Sequence, residues 1–101
     1  MINHKINVAI AEACPDKFRN ESGLWFFQYD KDCWMQCHNN SICADLNAMH
    51  EAEGFLRGND FQRYAEMLDS IIGSLGGIRA IARERAEAFL RVLGKWEEVA
   101  K

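Results

Sequence analysis

Three thiols and an imidazole fall within eleven residues of this chain, as Cys33-x3-Cys37-His38-x4-Cys43, a donor set that could close a tetrahedral zinc site. The spacing suits metal poorly. Cys33 to His38 reads as a strand, which sets Cys33 and Cys37 on one face two pleats apart, whereas zinc-binding pairs stand together on a tight turn. Cys43 would fall in the first turn of a following helix. Free cysteine is among the most buried of residue types, so core packing is the favoured reading. A zinc-stabilised module on Cys33, Cys37, His38 and Cys43 is the alternative.

His50-Glu51-Ala52-Glu53 opens like the helix of a zinc peptidase, but the second histidine must stand at i+4 to share a face with the first, and Gly54 stands there. His50 with Glu53 retains the makings of a carboxylate–imidazole pair for proton transfer. On a helix surface such i, i+3 pairs are mostly solvated contacts worth a few tenths of a kcal/mol. No serine occupies a Gly-x-Ser-x-Gly elbow, and Gly73-Ser74-Leu75-Gly76-Gly77 lacks the lysine of a phosphate loop and reads as a turn.

Two sets of residues suit recognition. Trp25 and Trp34, on neighbouring strands, could offer stacking faces, but without a basic groove around them core or interface packing is the favoured use. If the hairpin face is uncovered they become its contact surface, since Trp, Tyr and Arg dominate binding hot spots. Arg79, Arg83, Arg85 and Arg91 line the last helix, but Glu84 and Glu87 interleave with them and favour a solvated face. Arg85 differs from the rest. It falls on or beside the apolar stripe, where it must meet a buried carboxylate or an interface.

The elements that carry these residues follow from apolar period. Ile6, Ala9, Ile10, Ala13 and Cys14 keep i, i+3, i+4 spacing and predict a short helix over 4–14, ended by Pro15. Asp16 to Gly23 is polar, closes on Ser-Gly, and reads as a loop. Leu24 to Tyr29 is the best strand, with Trp25, Phe27 and Tyr29 on one face, and Asp30-Lys31-Asp32 turns it back into Cys33–His38 as an antiparallel hairpin. A lone hairpin is only marginally stable, so helices must cover at least one face.

Asn39-Asn40-Ser41 offers caps for a second helix over 42–56, and Gly58-Asn59-Asp60 caps a third that turns Phe61, Tyr64, Ala65, Leu68, Ile71 and Ile72 inward. The last helix is the most regular. Ile78, Ile81, Ala82, Ala86, Phe89, Leu90, Leu93 and Trp96 form one stripe and predict a helix of about 16–18 residues. The fold class is therefore α+β: a single domain over 1–101 in which an antiparallel hairpin or small sheet forms a layer against three to four helices.

With 101 residues the chain is long enough for one core and too short for two. Hydrophobic residues make up 49% and charged residues 27%, which is globular usage rather than that of a disordered chain. The net charge of −3 provides no field for a polyphosphate backbone and argues against a nucleic-acid partner. It is also too weak to imitate DNA. No run approaches the ~18 apolar residues of a membrane span and no signal peptide is apparent, so the four cysteines are expected as reduced thiols.

At Ile10-Ala11-Glu12-Ala13-Cys14, at Asp45 to Glu53, and at Arg85 to Trp96, the chain resembles a family of small bacteriophage and prophage proteins, the phage ABA-sandwich domain. The resemblance spans nearly the whole chain in the same order. It implies a phage or prophage origin, an α+β layer fold and residence in the host bacterial cytoplasm, and it carries no activity and no catalytic residue. Small phage accessory proteins often act by binding, which is an argument by association.

The expectation is thus a non-enzymatic accessory protein, without cofactor, that binds a host or phage macromolecule, with an anti-defence inhibitor of the anti-CRISPR kind as one form of it. Its contact residues would be Trp25, Phe27, Trp34, Arg85 and Arg91. The partner would be a protein, neither membrane nor nucleic acid, and a homodimer is compatible. A small-ligand or nucleotide-sequestering protein, using the hairpin aromatics and the arginines of the last helix, is the alternative from another class.

Overall fold

A computed structural model describes residues 2–72 and 81–97. The expected turn at Gly73–Gly77, and Ile78 and Arg79, lie outside the described residues. Helix α1 (Asn3–Ala13) buries Ile6, Asn7 and Ile10 and stops at Cys14, the residue before Pro15. Proline pushes its predecessor out of the α region, as expected.

The segment expected as a loop holds a strand. Strand β1 (Phe18–Glu21) pairs antiparallel with β2 (Leu24–Asp30), Phe18 opposite Phe27 and Glu21 opposite Leu24. Ser22 and Gly23 join them, both with positive φ (54° and 83°), the backbone of a two-residue hairpin turn whose twist matches its strands. Only Phe18 of the four β1 residues is buried, so no alternation was there to be read.

Strand β3 (Cys33–Gln36) completes a sheet in the order β1-β2-β3. The register slips between Gln28 and Asp30 of β2, leaving Tyr29 as an extra residue, which makes a β-bulge. The bulge explains why Tyr29, expected on the face of Trp25 and Phe27, stays exposed while those two are buried. The strand stops at Gln36, short of the expected His38. Asn39 and Asn40 then take left-handed backbone (φ 53° and 50°) within a 3-10 turn, His38–Asn40.

The second helix is shorter than 42–56. A 3-10 turn, Ile42–Ala44, is followed by extended Asp45, whose carboxylate accepts from Ala48 N–H, and only then does α2 (Leu46–Glu53) begin. Asp45, and not the Asn39–Ser41 run, is the cap. Its other oxygen accepts from His38 N–H at 2.7 Å, so one side chain starts the helix and ties down the connector.

Helix α3 (Asn59–Ile72) buries Tyr64 and Leu68, with Met67 and Ile71 partly covered. Phe61 and Ala65, expected inward, face solvent. The helix packs chiefly on one neighbour, α4, so its buried stripe is narrow. Helix α4 (Ala82–Val92) is eleven residues long, shorter than the expected sixteen to eighteen. Ile81 sits exposed at its N-cap, with its N–H bonded to Glu84 Oε1. Gly94 (φ 72°) ends it, where Lys95 N–H reaches back to the Leu90 carbonyl, a left-handed C-terminal cap that suits glycine.

Helix α4 contacts α1, α2, α3 and the Ile42–Ala44 turn, and Ala82, Ala86, Ala88, Phe89, Leu90 and Val92 are all buried. Small alanines let neighbouring backbones approach, and Phe89 fills the space between them. The sheet lays Phe18, Trp25, Phe27 and the adjoining Cys37 into the same core as Ile6, Ile10, Ile42, Met49 and Ala52. Among the described residues the result is a three-stranded antiparallel sheet with four helices, a small α+β domain.

Candidate functional site

Alternation along β2 sends Trp25 and Phe27 to the core and leaves Leu24, Phe26 and Gln28 on the other face. Register places Arg19 of β1 and Gln36 of β3 beside Phe26, and Trp34 beside Gln28. The Arg19 guanidinium lies 4.3 Å from the Trp34 ring centre and 5.9 Å from that of Phe26, while its Nε is 3.3 Å from Glu21. Such cation–ring contacts are worth about 0.5–1 kcal/mol at exposed sites. Here they flatten a long side chain over two half-exposed aromatics.

Among the expected contact residues, only Trp34 therefore stands on an accessible sheet face. Trp25 and Phe27 are corrected from contact to core: they are 9% and 1% exposed, too deeply covered to serve a protein partner as contact surface. Trp25 and Trp34 face opposite sides of the sheet and cannot frame one ligand. Reasoning from sequence missed Arg19 and Phe26, because their adjacency exists only once 18–21 is known to be a strand.

The arginines of α4 also have occupations within the fold. Arg85 Nη1 bonds Glu53 Oε2 at 3.1 Å, and both side chains are nearly buried. Tyr64 O–H donates to the same oxygen. Helices α2, α3 and α4 thus meet on one carboxylate. Burial first, and then the bond to Glu53, push the Tyr64 phenol well above its ordinary value. Arg91 bonds Glu87 at 2.8 Å and lies over the Trp96 ring at 5.4 Å, with Arg83 on that ring at 5.9 Å. Arg85 and Arg91, expected to meet a partner, are engaged inside the molecule.

His50 Nδ1 lies 3.0 Å from Glu53 Oε1, yet that shielded oxygen receives no aligned hydrogen bond. Glu53 serves three helices through its other oxygen, which makes it an anchor of the scaffold. A proton-transfer pair would need a carboxylate aligned on its imidazole.

The cysteine cluster does not converge. Cys37 and Cys43 are buried, Cys33 is half-buried on the β3 edge, and His38 is exposed on the connector. Among the described residues no three His, Cys, Asp or Glu side chains gather so as to hold a metal ion. Burial pushes the Cys37 thiol up to about 12, with Asp45 adding to the shift, and Cys14 up to about 11. Both buried thiols are held in the protonated form. Cys43 Sγ sits 3.3 Å from Ser41 Oγ, inside a neutral network centred on Asn7.

Asn7 of α1 is 4% exposed. Its Oδ1 accepts from Cys43 N–H at 3.0 Å, and its amide nitrogen donates to Ser41 Oγ at 3.1 Å. Asn40 performs a similar service at the sheet, accepting from Trp25 N–H and donating to the Gly23 carbonyl. Side-chain amides thus do for the 37–45 connector what a ladder does for a strand.

No described helix is long and apolar enough to cross a membrane. In comparisons with known proteins, the chain matches no family model, no curated protein and no solved structure.

Proposed function

We propose that this chain is a non-catalytic recognition protein of phage or prophage origin, acting in the bacterial cytoplasm on a host or phage protein through the open face of its sheet. The observation that supports this reading is the Arg19 guanidinium laid over Trp34 and Phe26, with Leu24 exposed beside them. Aromatic and arginine side chains grouped on one rigid face have the composition of a binding hot spot. Among the described strand residues, Arg19 and Glu21 are the charged ones on this face, and one cation balanced by one anion suits a protein surface better than a phosphate backbone. The phage origin rests on the resemblance alone, and anti-defence inhibition is the form of binding it suggests.

The test is capture from lysates of phage-bearing and phage-free bacteria, followed by reconstitution with the purified partner. Trp34→Ala and Arg19→Ala are expected to weaken that reconstituted complex by roughly 30-fold or more, the scale of a hot-spot truncation, with unchanged thermal unfolding. No reproducible partner, or a complex indifferent to both substitutions, would sink the reading.

A further inference from the structure

A groove of about 630 Å³ opens between the first turns of α1, the β1–β2 turn and the 3-10 connector. Asparagines line it from all three sides: Asn3 and Asn7, Asn20, and Asn39 and Asn40. His4 is the one ionisable residue in the lining. Each of these primary amides is both donor and acceptor.

Part of this polarity is spent on the fold. Asn7 and Asn40 are fully engaged as described, Asn20 Oδ1 accepts from Gly23 N–H, and Asn3 Oδ1 accepts from Arg83 Nε. The remainder is open. Among the described residues, the Asn39 amide, the amide nitrogens of Asn20 and Asn3, and the indole N–H of Trp25 have no hydrogen-bond partner. Asn39 also holds a left-handed backbone (φ 53°), a conformation few side chains accept.

We propose that this groove binds a neutral saccharide of one or two units. Chemistry selects the class. A phosphate or carboxylate would find a single imidazole and no lysine or arginine in the lining. A nucleobase would want a ring to stack on, and Trp25, 9% exposed, leaves too little of its ring uncovered. Hydroxyl groups, which donate and accept alike, match unpaired amides and an indole N–H. The volume falls within the range of small-molecule sites, about 300–1,000 Å³, and a shallow, wet site of this kind implies affinity on the order of millimolar. The saccharide site and the Trp34 face are separate, so neither proposal depends on the other.

The experiment is an NMR titration of the full chain with glucose, galactose, mannose and N-acetylglucosamine, with glucose 6-phosphate and adenosine as competing classes. Saturable shifts are expected at the Trp25 indole and the Asn20 and Asn39 side-chain amides with at least one neutral sugar. Asn39→Gly keeps the left-handed backbone while removing the amide, and should weaken binding roughly fivefold, the loss of about one hydrogen bond. Trp34→Ala should leave the titration unchanged. Absence of saturable shifts with all four sugars, tighter binding of the phosphate ester or adenosine at these resonances, or indifference to Asn39→Gly would each overturn the assignment.

Discussion

Asn7 and Glu53 are both buried polar side chains, and each fastens segments distant in sequence, but they do it with different chemistry. Asn7 is neutral, and the connector supplies a backbone N–H and a hydroxyl to match its amide. Glu53 joins α2, α3 and α4 through one oxygen, which takes both Tyr64 and Arg85, while its other oxygen lies shielded without an aligned donor. The neutral cluster is locally complete, whereas the charged one depends on a cation from another helix to be tolerable at all. A buried charge pair adds little over a hydrophobic substitute yet is severe to break, because the survivor is left uncompensated.

The sharpest way to break this contrast is Arg85→Ala. Stranding Glu53 should cost about 3–5 kcal/mol in urea unfolding, and the double variant Arg85→Met with Glu53→Gln should recover much of it. A double variant no better than the single one would show that the ion pair itself stabilises the fold. Asn7→Ala comes next, leaving Cys43 N–H and Ser41 unsatisfied, with an expected loss of roughly 1–3 kcal/mol. If it proves as damaging as Arg85→Ala, the distinction between the two clusters fails.

Tyr64→Phe removes a donor to Glu53 but no charge, and should cost about 1 kcal/mol at neutral pH. Its larger consequence is at alkaline pH. Folding favours the neutral phenol of Tyr64 and the neutral thiols of Cys14 and Cys37, so their contribution is complete below the unfolded values of 9.0 for the thiols and 10.0 for the phenol. It is lost as pH rises toward the folded values. Melting temperature should therefore hold to about pH 9 and then decline, and Tyr64→Phe should make the later part of the decline shallower. A flat profile to pH 11 would contradict that account of the site. The smallest effect belongs to His50→Ala, a few tenths of a kcal/mol, as for an exposed i, i+3 contact; a loss above about 1 kcal/mol would mean that the shielded oxygen does draw on the imidazole.

Much of the scaffold was legible because burial follows period. The first helix is placed within a residue of its expected bounds, β2 and its inward Trp25 and Phe27 alternate as expected, and the alanines and Phe89 of α4 face the core. What was not legible lies between elements. The position of Arg85 implied a buried carboxylate or an interface, but its partner stands 32 positions away on another helix, which no local pattern encodes. Asn7 carried one faint signal: with Ile10 and Cys14 it keeps i, i+3, i+7 spacing, so its burial could have been read from the helical period. Strand β1 presents three polar residues of four. Its only local mark was Ser22-Gly23, read as the end of a loop when it is the tip of a hairpin.

Helix α4 touches α1, α2 and α3, and its place after all three in the chain has a consequence for synthesis. A ribosome releases α1, α2 and α3 before the helix they all pack against has emerged. Until residues 82–92 clear the exit tunnel, α1 and α3 lack the surface that α4 gives them. The part of the core that closes on α4 can therefore form only after residues 82–92 have emerged.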